Sequence, residues 1–255
     1  VLNMVACYKW VVDEADIRIN QDLSVDMSKA QGKISEYDKN AIEAAVQAAK
    51  AAGARAVGLT FGNEKSKPSL KDALSRGLEE GYWVHGDEAD TADAVVTAKV
   101  LAEAIKRIGN IGLVFCAEGA ADTYARQTAP RLGALLDLPV ITSAKEISID
   151  GNTVTVTRKL DDCVETVSAE FPAIIAVLPE ANVPDIPGLK AVMAASKKPV
   201  TEWRAADLIT DATPLSWVTS VKGYETNRKN IVFAEGDAAE RVKQLVAALR
   251  KEGVL

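Results

Sequence analysis

The chain has 255 residues, 48% of them hydrophobic, enough for a large core and incompatible with a disordered chain. Its formal net charge of −6, with no basic stripe on any predicted helix, argues against nucleic-acid binding. One histidine, His85, and three dispersed cysteines, Cys7, Cys116 and Cys163, leave almost no material for a zinc site, a Ser-His-Asp triad or a disulfide framework. A reducing cytoplasm fits that cysteine usage. No apolar run reaches the roughly 18 to 20 residues of a membrane span, and the first residues lack the basic and long apolar regions of a signal peptide.

Residues 3–8 (NMVACY) read as a buried first strand, followed by an irregular, Asp-rich stretch over 11–30. Ser35 is expected to cap a helix, with Asp38 at the capping-box position. Ile42, Ala45, Val46 and Ala49 recur at helical spacing, and Gly53 ends that helix. The spacing then predicts a strand over 56–61, a helix over 69–80, a short strand over 82–85 and a helix over 91–108. A strand over 111–116, a helix over 123–136 and a strand beginning at 139–142 follow. Alternating strands and helices imply a Rossmann-like α/β fold: an open, mostly parallel sheet, helices on both faces, right-handed crossovers.

After Lys145 the rhythm changes. Short strands over 147–149, 153–158 and 164–169 read as an added antiparallel segment, with Asp150-Gly151-Asn152 as the turn between the first two. A buried strand is expected over 173–178 and a short helix over 189–196. Residues 205–226 have no convincing core face; a strand over 231–233 and a helix over 238–251 follow. Trp203, Trp217 and Tyr224 favour an arm packed on another chain over a solvated tail. The expected organisation is an adenine-nucleotide-binding domain over 1–200 and a C-terminal arm over 201–255.

Ligands of an open parallel sheet bind beyond the carboxyl ends of its strands, at a topological switch point. Three segments meet that condition: 9–13, 62–63 and 117–128. The third, AEGAADTYARQT, is the most informative. Ala117, Gly119, Ala120 and Ala121 let backbone approach a ligand closely. Asp122 stands at the expected helix N-cap, with Gln127 and Thr128 in the first turns, where free N–H groups bind phosphate. An ordinary β–α loop with a capping aspartate accounts for the same residues. Neither the GxGxxG nor the GxxxxGK[ST] fingerprint is present. His85, Lys197-Lys198 and Asp161-Asp162 read as structural or solvated groups, and Cys7 and Cys116 as small core hydrophobes. The residues by themselves reach a nucleotide-binding α/β module with no visible catalytic or metal-binding machinery.

Several segments in order resemble electron transfer flavoprotein beta subunits. They are ACYKWVVDEADIRI (6–19), KISEYDKNAIEAA (33–45), LVFCAEGAADTYARQTAPRLGALLDLP (113–139), VTRKLDDCVETVSAEFPAIIA (156–176) and IPGLKAVMAASKKPV (186–200). The fourth is the most specific, with Arg158, Asp161, Asp162, Glu165 and Pro172 in the family's pattern; Cys163 departs from it where Gly or an acidic residue is usual. Lys190 and Ala191 replace a usual Pro-Asn, and Arg126 stands where small or amide residues are common. The resemblance covers essentially the whole chain and is closest to Fix-type beta subunits.

That resemblance implies a heterodimer with an alpha subunit that holds one FAD. The beta subunit binds AMP in conventional members. In electron-bifurcating members it binds a second FAD that accepts a hydride from NADH. The implied electron partners are an acyl-CoA or related dehydrogenase or a quinone oxidoreductase, and ferredoxin or flavodoxin in the bifurcating case. The implied cofactor-binding residues are Cys7, Lys9, Ser35, Tyr37, Asp38, Phe61, Ala117, Gly119, Asp122, Arg126, Gln127 and Thr128. Asp122 is expected to cap the helix or bind ribose, and amides near Arg126 to Thr128 to hold phosphate. Leu189, with Met193, is the implied docking anchor for the partner dehydrogenase. A stand-alone, stress-type adenine-nucleotide module is the alternative reading. A small-molecule hydrolase or transferase would need a nucleophile or base that the chain does not offer at convincing spacing.

Overall fold

The computed structural model describes residues 1–225 and 228–255. Its strands in chain order are β1 (Asn3–Cys7), β2 (Trp10–Val12), β3 (Arg18–Ile19), β4 (Val25–Asp26), β5 (Gly32–Ile34), β6 (Arg55–Gly62) and β7 (Glu80–His85). They continue with β8 (Ile111–Ala117), β9 (Val140–Asp150), β10 (Thr153–Lys159), β11 (Val164–Glu170), β12 (Ala173–Val177) and β13 (Val200–Arg204). The helices are α1 (Glu36–Ala52), α2 (Pro68–Ser75), α3 (Ala94–Ile108), α4 (Thr128–Leu136), α5 (Leu189–Ala195) and α6 (Ala238–Lys251). No helix among the described residues is long and apolar enough to cross a membrane.

A nine-stranded sheet runs β11-β10-β9-β12-β8-β1-β6-β7-β13. From β9 to β13 every neighbouring pair is parallel, whereas β10 and β11 continue past β9 as an antiparallel extension. The central strands read as unbroken apolar runs because both faces are covered. On β1, Met4 and Ala6 join the core beneath α1 and α2, whereas Val5 and Cys7 join the core beneath α3 and α4. α1 approaches the sheet closely because its buried face is mostly alanine: Ala41, Ala44, Ala45, Ala48 and Ala49 around Ile42. Gly53 ends it at φ 61°, its N–H returning to the Ala49 carbonyl.

The fold class is as expected, and several element limits differ. α2 stops at Ser75 rather than reaching 80, because Gly77 turns left-handed at φ 106° and sends the chain into β7. α4 begins at Thr128 rather than 123. Tyr124 and Arg126 sit at φ 47° and 56°, which a right-handed helix does not admit. β9 is one strand of 11 residues rather than two pieces; Ser143 at φ 58° lies at a register shift in its pairing with β12, and the strand runs on into its pairing with β10. β13, an edge strand parallel to β7, lies beyond residue 200, and no strand covers 231–233. Within 11–30 the chain carries short pieces, of which β2 pairs antiparallel with β5.

The chain divides into two compact units. Residues 1–18 with 26–221 contain the large sheet. Residues 19–25 with 222–255 form the other, in which Ser24 and Lys222 make a β-bridge and the Gly223 N–H donates to the Leu23 carbonyl at 2.7 Å. α6 opens in this second unit on a full capping box between Asp237 and Glu240. Thr226, the last residue of the stretch expected to lack a core face, lies outside the described residues.

Candidate functional site

β1 is flanked by β6 on one side and β8 on the other. The chain leaves β1 through α1 toward β6 and β7, and re-enters on the opposite side with β8. The connections after β1 and β8 therefore diverge, opening a crevice at the carboxyl ends of the two strands.

Three segments line that crevice and hold one another by hydrogen bonds. The Lys9 main-chain N–H donates to Asp38 Oδ2 at 2.7 Å, and the Ser35 N–H donates to the Lys9 carbonyl at 3.0 Å. The Ser35 Oγ accepts the Ala121 N–H at 3.1 Å. The Lys9 ammonium pairs with Asp122 Oδ2 at 2.5 Å. The Tyr37 ring meets Tyr124 edge-on, with centroids 5.1 Å apart. Lys9, Ser35, Tyr37, Asp38 and Asp122 are thus brought together, from positions up to 113 residues apart.

Two capping expectations fail here. Ser35 does precede α1, but its side chain makes no capping bond, and Asp38 does not close a capping box. Both side chains are turned toward the neighbouring loops instead. Likewise Asp122 caps no helix, because α4 starts six residues later; its Oδ1 accepts the Thr123 N–H at 2.8 Å.

Electrostatics distinguish the two carboxylates. Burial pushes the Asp38 carboxyl up to about 7, against the Lys9 hydrogen bond and charge that favour its ionised form, while Asp122 pushes it further upward. Asp122 is partly exposed and meets the Lys9 charge directly. Beneath the crevice, Cys7 and Cys116 are both buried in the core against α3 and α4. A hydrogen bond with Cys7 and burial both raise the Cys116 thiol, which marks a structural group rather than a nucleophile.

The loop from β8 to α4 supplies main-chain donors. Among the described residues, the N–H groups of Ala125 through Ala129 have no protein acceptor. Arg126 is left-handed and Gln127 right-handed, an alternation that turns successive N–H groups toward one side as an anion-binding concavity. It leads into the N-terminus of α4. The Gln127 side chain accepts from Arg131, at 2.9 and 2.8 Å, so its carbonyl oxygen points along the helix. Arg126 lies over the Tyr124 ring and 3.7 Å from Glu118. Ala117 closes β8, and Gly119 has no room for a Cβ, which would stand 3.1 Å from the Tyr124 Cα. Phe61, near the end of β6, packs into the α3 side of the core and makes no ring pairing with Tyr37 or Tyr124.

Two participants were missed by sequence reasoning. Tyr124 donates to Glu118 Oε2 at 2.9 Å, and together they brace the loop that carries Asp122. The only cue was an aromatic residue inside a run of small ones, which says nothing about its left-handed backbone. Leu189 and Met193 lie on α5, which packs against α2, and are 78% and 66% exposed. Among the described residues, no group of three or more His, Cys, Asp or Glu side chains could hold a metal ion.

The arrangement can hold a small anionic ligand with an apolar or aromatic body: one ammonium, one hydroxyl and a row of free N–H groups, with two tyrosine rings beside them. A family model described as the electron transfer flavoprotein domain matches residues 22–208, spanning Ser35, Asp38 and the whole β8–α4 loop.

Proposed function

The chain belongs to the electron transfer flavoprotein family, and from that premise we propose that it is the beta subunit of a heterodimeric electron carrier. It binds an adenine nucleotide in the crevice between β1 and β8. The observation that carries this reading is the meeting, at one switch point, of Lys9, Ser35 and the unpaired N–H groups that open α4.

The residues present fit such a ligand. The N–H groups of Arg126 to Ala129 and the Lys9 ammonium suit phosphate oxygens, and the small residues Ala117 to Ala121 admit close approach of the sugar. The nucleotide is AMP, or the AMP half of an FAD; the Fix-type likeness favours FAD. When bound, FAD supplies the redox chemistry. The chain's own residues bind it, orient it and exclude water from it.

The arm over 201–255 packs on the alpha subunit, which holds its own FAD. Leu189 and Met193 dock a dehydrogenase or quinone oxidoreductase. In a bifurcating assembly NADH donates and ferredoxin or flavodoxin takes the low-potential electron. Three free cysteines suit a reducing cytoplasm as its compartment.

The test is the cofactor content of the chain co-purified with its alpha subunit, released by denaturation and resolved by chromatography. Two FAD per heterodimer is expected. One FAD with one AMP would replace the second-flavin reading by a conventional carrier, and no flavin would overturn the electron-transfer reading.

A further inference from the structure

The one ammonium in the candidate crevice is already occupied. Lys9 Nζ lies 2.5 Å from Asp122 Oδ2, reaching from the loop after β1 to the loop after β8. Both partners are anchored at their bases. The Lys9 main chain is fixed on both sides, its N–H on Asp38 and its carbonyl by the Ser35 N–H. Asp122 is fixed by the Thr123 N–H on its other oxygen. Among the described residues, Lys9 Nζ has no second carboxylate, and Asp122 no second cation, within ion-pair distance. A carboxylate so placed satisfies Lys9 as a ligand's anionic oxygen would.

We propose that Asp122 is a built-in competitor for the ligand's phosphate: it neutralises Lys9 in the ligand-free chain, and only an anionic ligand displaces it. This rests on the nucleotide-binding reading and adds to it a residue that sets specificity for charge. The pair is half open to solvent, 51% and 34% exposed, so water screens it and a phosphate can exchange for the carboxylate. A ligand with the same adenosine body and no phosphate gains nothing from Lys9 and leaves the pair closed. Asp122 therefore lowers affinity for nucleotides and leaves affinity for nucleosides alone. A residue that bonds ribose would lower both when removed.

The experiment measures binding of AMP and of adenosine to the full chain by calorimetry, in wild type and Asp122→Asn. Asparagine keeps the shape and removes the charge. AMP affinity should rise by about 1.5- to 5-fold, the range expected of an exposed ion pair, with adenosine affinity unchanged. Unchanged or weakened AMP binding in Asp122→Asn overturns the proposal; weakened binding of both ligands would make Asp122 a ribose contact.

A second readout does not need nucleotide binding. Acylation of Lys9 by acetic anhydride, followed by mass spectrometry with Lys197 as internal reference, reports whether its ammonium is engaged. Lys9 should react faster in Asp122→Asn than in wild type. Equal rates overturn the pairing itself, whatever the ligand. A faster rate with no AMP binding to either protein would uphold the pairing and count against the nucleotide site.

Discussion

The Lys9 main-chain N–H donates to the buried carboxyl of Asp38, 29 residues away, fastening the loop after β1 onto the first turn of α1. A buried carboxyl in that position makes stability depend on pH. Burial raises it to about 7 in the folded chain, while in the unfolded chain it titrates near its ordinary value of 3.8. Between those values the folded state holds a proton that the unfolded state has lost, so this group's contribution to stability falls as pH rises from about 4 to about 7. Lys9 favours the charged form, and burial, with Asp122 acting in the same direction, outweighs it. Asp38→Asn keeps an acceptor for the Lys9 N–H and removes the titration. Urea denaturation at pH 5 and pH 8 should show a smaller loss of stability for Asp38→Asn than for wild type. An equal loss in both proteins would remove Asp38 as the titrating group.

Ser35→Ala tests the fastening between the two sides of the crevice. The substitution leaves the partly buried Ala121 N–H without the Ser35 Oγ it donates to. Loss of a hydrogen bond of that kind costs about 0.5 to 1.5 kcal/mol. The β8–α4 loop should loosen and nucleotide affinity fall together. Thermal denaturation combined with AMP titration checks this; a destabilised protein with unchanged AMP affinity would separate the fastening from the site.

Much of the fold was legible because its signals are strong and redundant. Met4 through Cys7 and Leu113 through Cys116 can only be buried on both faces, and α1 shows an unbroken alanine-rich stripe. The loops that meet at the crevice could be named for the same reason, since they follow those strands. Side-chain direction was not legible. Ser35 and Asp38 have capping-box spacing, and local sequence cannot tell that the loops carrying Lys9 and Ala121 compete for them. The late start of α4 depends on left-handed backbone at Tyr124 and Arg126, residues with no propensity for it. β13 was invisible because an edge strand buries little and Val200 to Arg204 alternates weakly.

Gly119→Ala tests the packing of the β8–α4 loop. A Cβ there would stand 2.9 Å from Tyr124 Cδ2 and 3.1 Å from its Cα, so a backbone atom, not merely a flexible tip, must move. Overpacking of this sort costs about 1 to 3 kcal/mol. Displacement of Tyr124 would also break its contacts with Tyr37 and Glu118. Thermal denaturation should fall by an amount of that order, and AMP affinity with it. A variant as stable as wild type would mean that the loop relaxes at no cost.

Asp93, just ahead of α3, shares its carboxylate among five donors. Its Oδ1 caps α3 by accepting the Val95 and Val96 N–H groups at 3.0 and 2.9 Å. Its Oδ2 accepts the Leu215 and Ser216 N–H groups at 2.9 and 3.1 Å, and the Ser216 hydroxyl. One side chain thus starts a helix and pins a segment that has little core of its own. Burial would raise this carboxyl, but the donors around it hold it below the usual carboxylate range. Its contribution is therefore present above that range and is lost as pH falls below it, through the lowered folded value. Asp93→Ala removes both functions; the cap by itself is worth about 0.5 to 2 kcal/mol. Asp93→Asn leaves one acceptor oxygen, enough to cap α3 or to hold Leu215 and Ser216, not both. Limited proteolysis should cut the segment around residues 211–221 readily in Asp93→Ala, less in Asp93→Asn and least in wild type. Equal protection in all three, with only the melting temperature lowered in Asp93→Ala, would reduce Asp93 to a helix cap and leave the segment held by other contacts, such as Lys99 with Asp211.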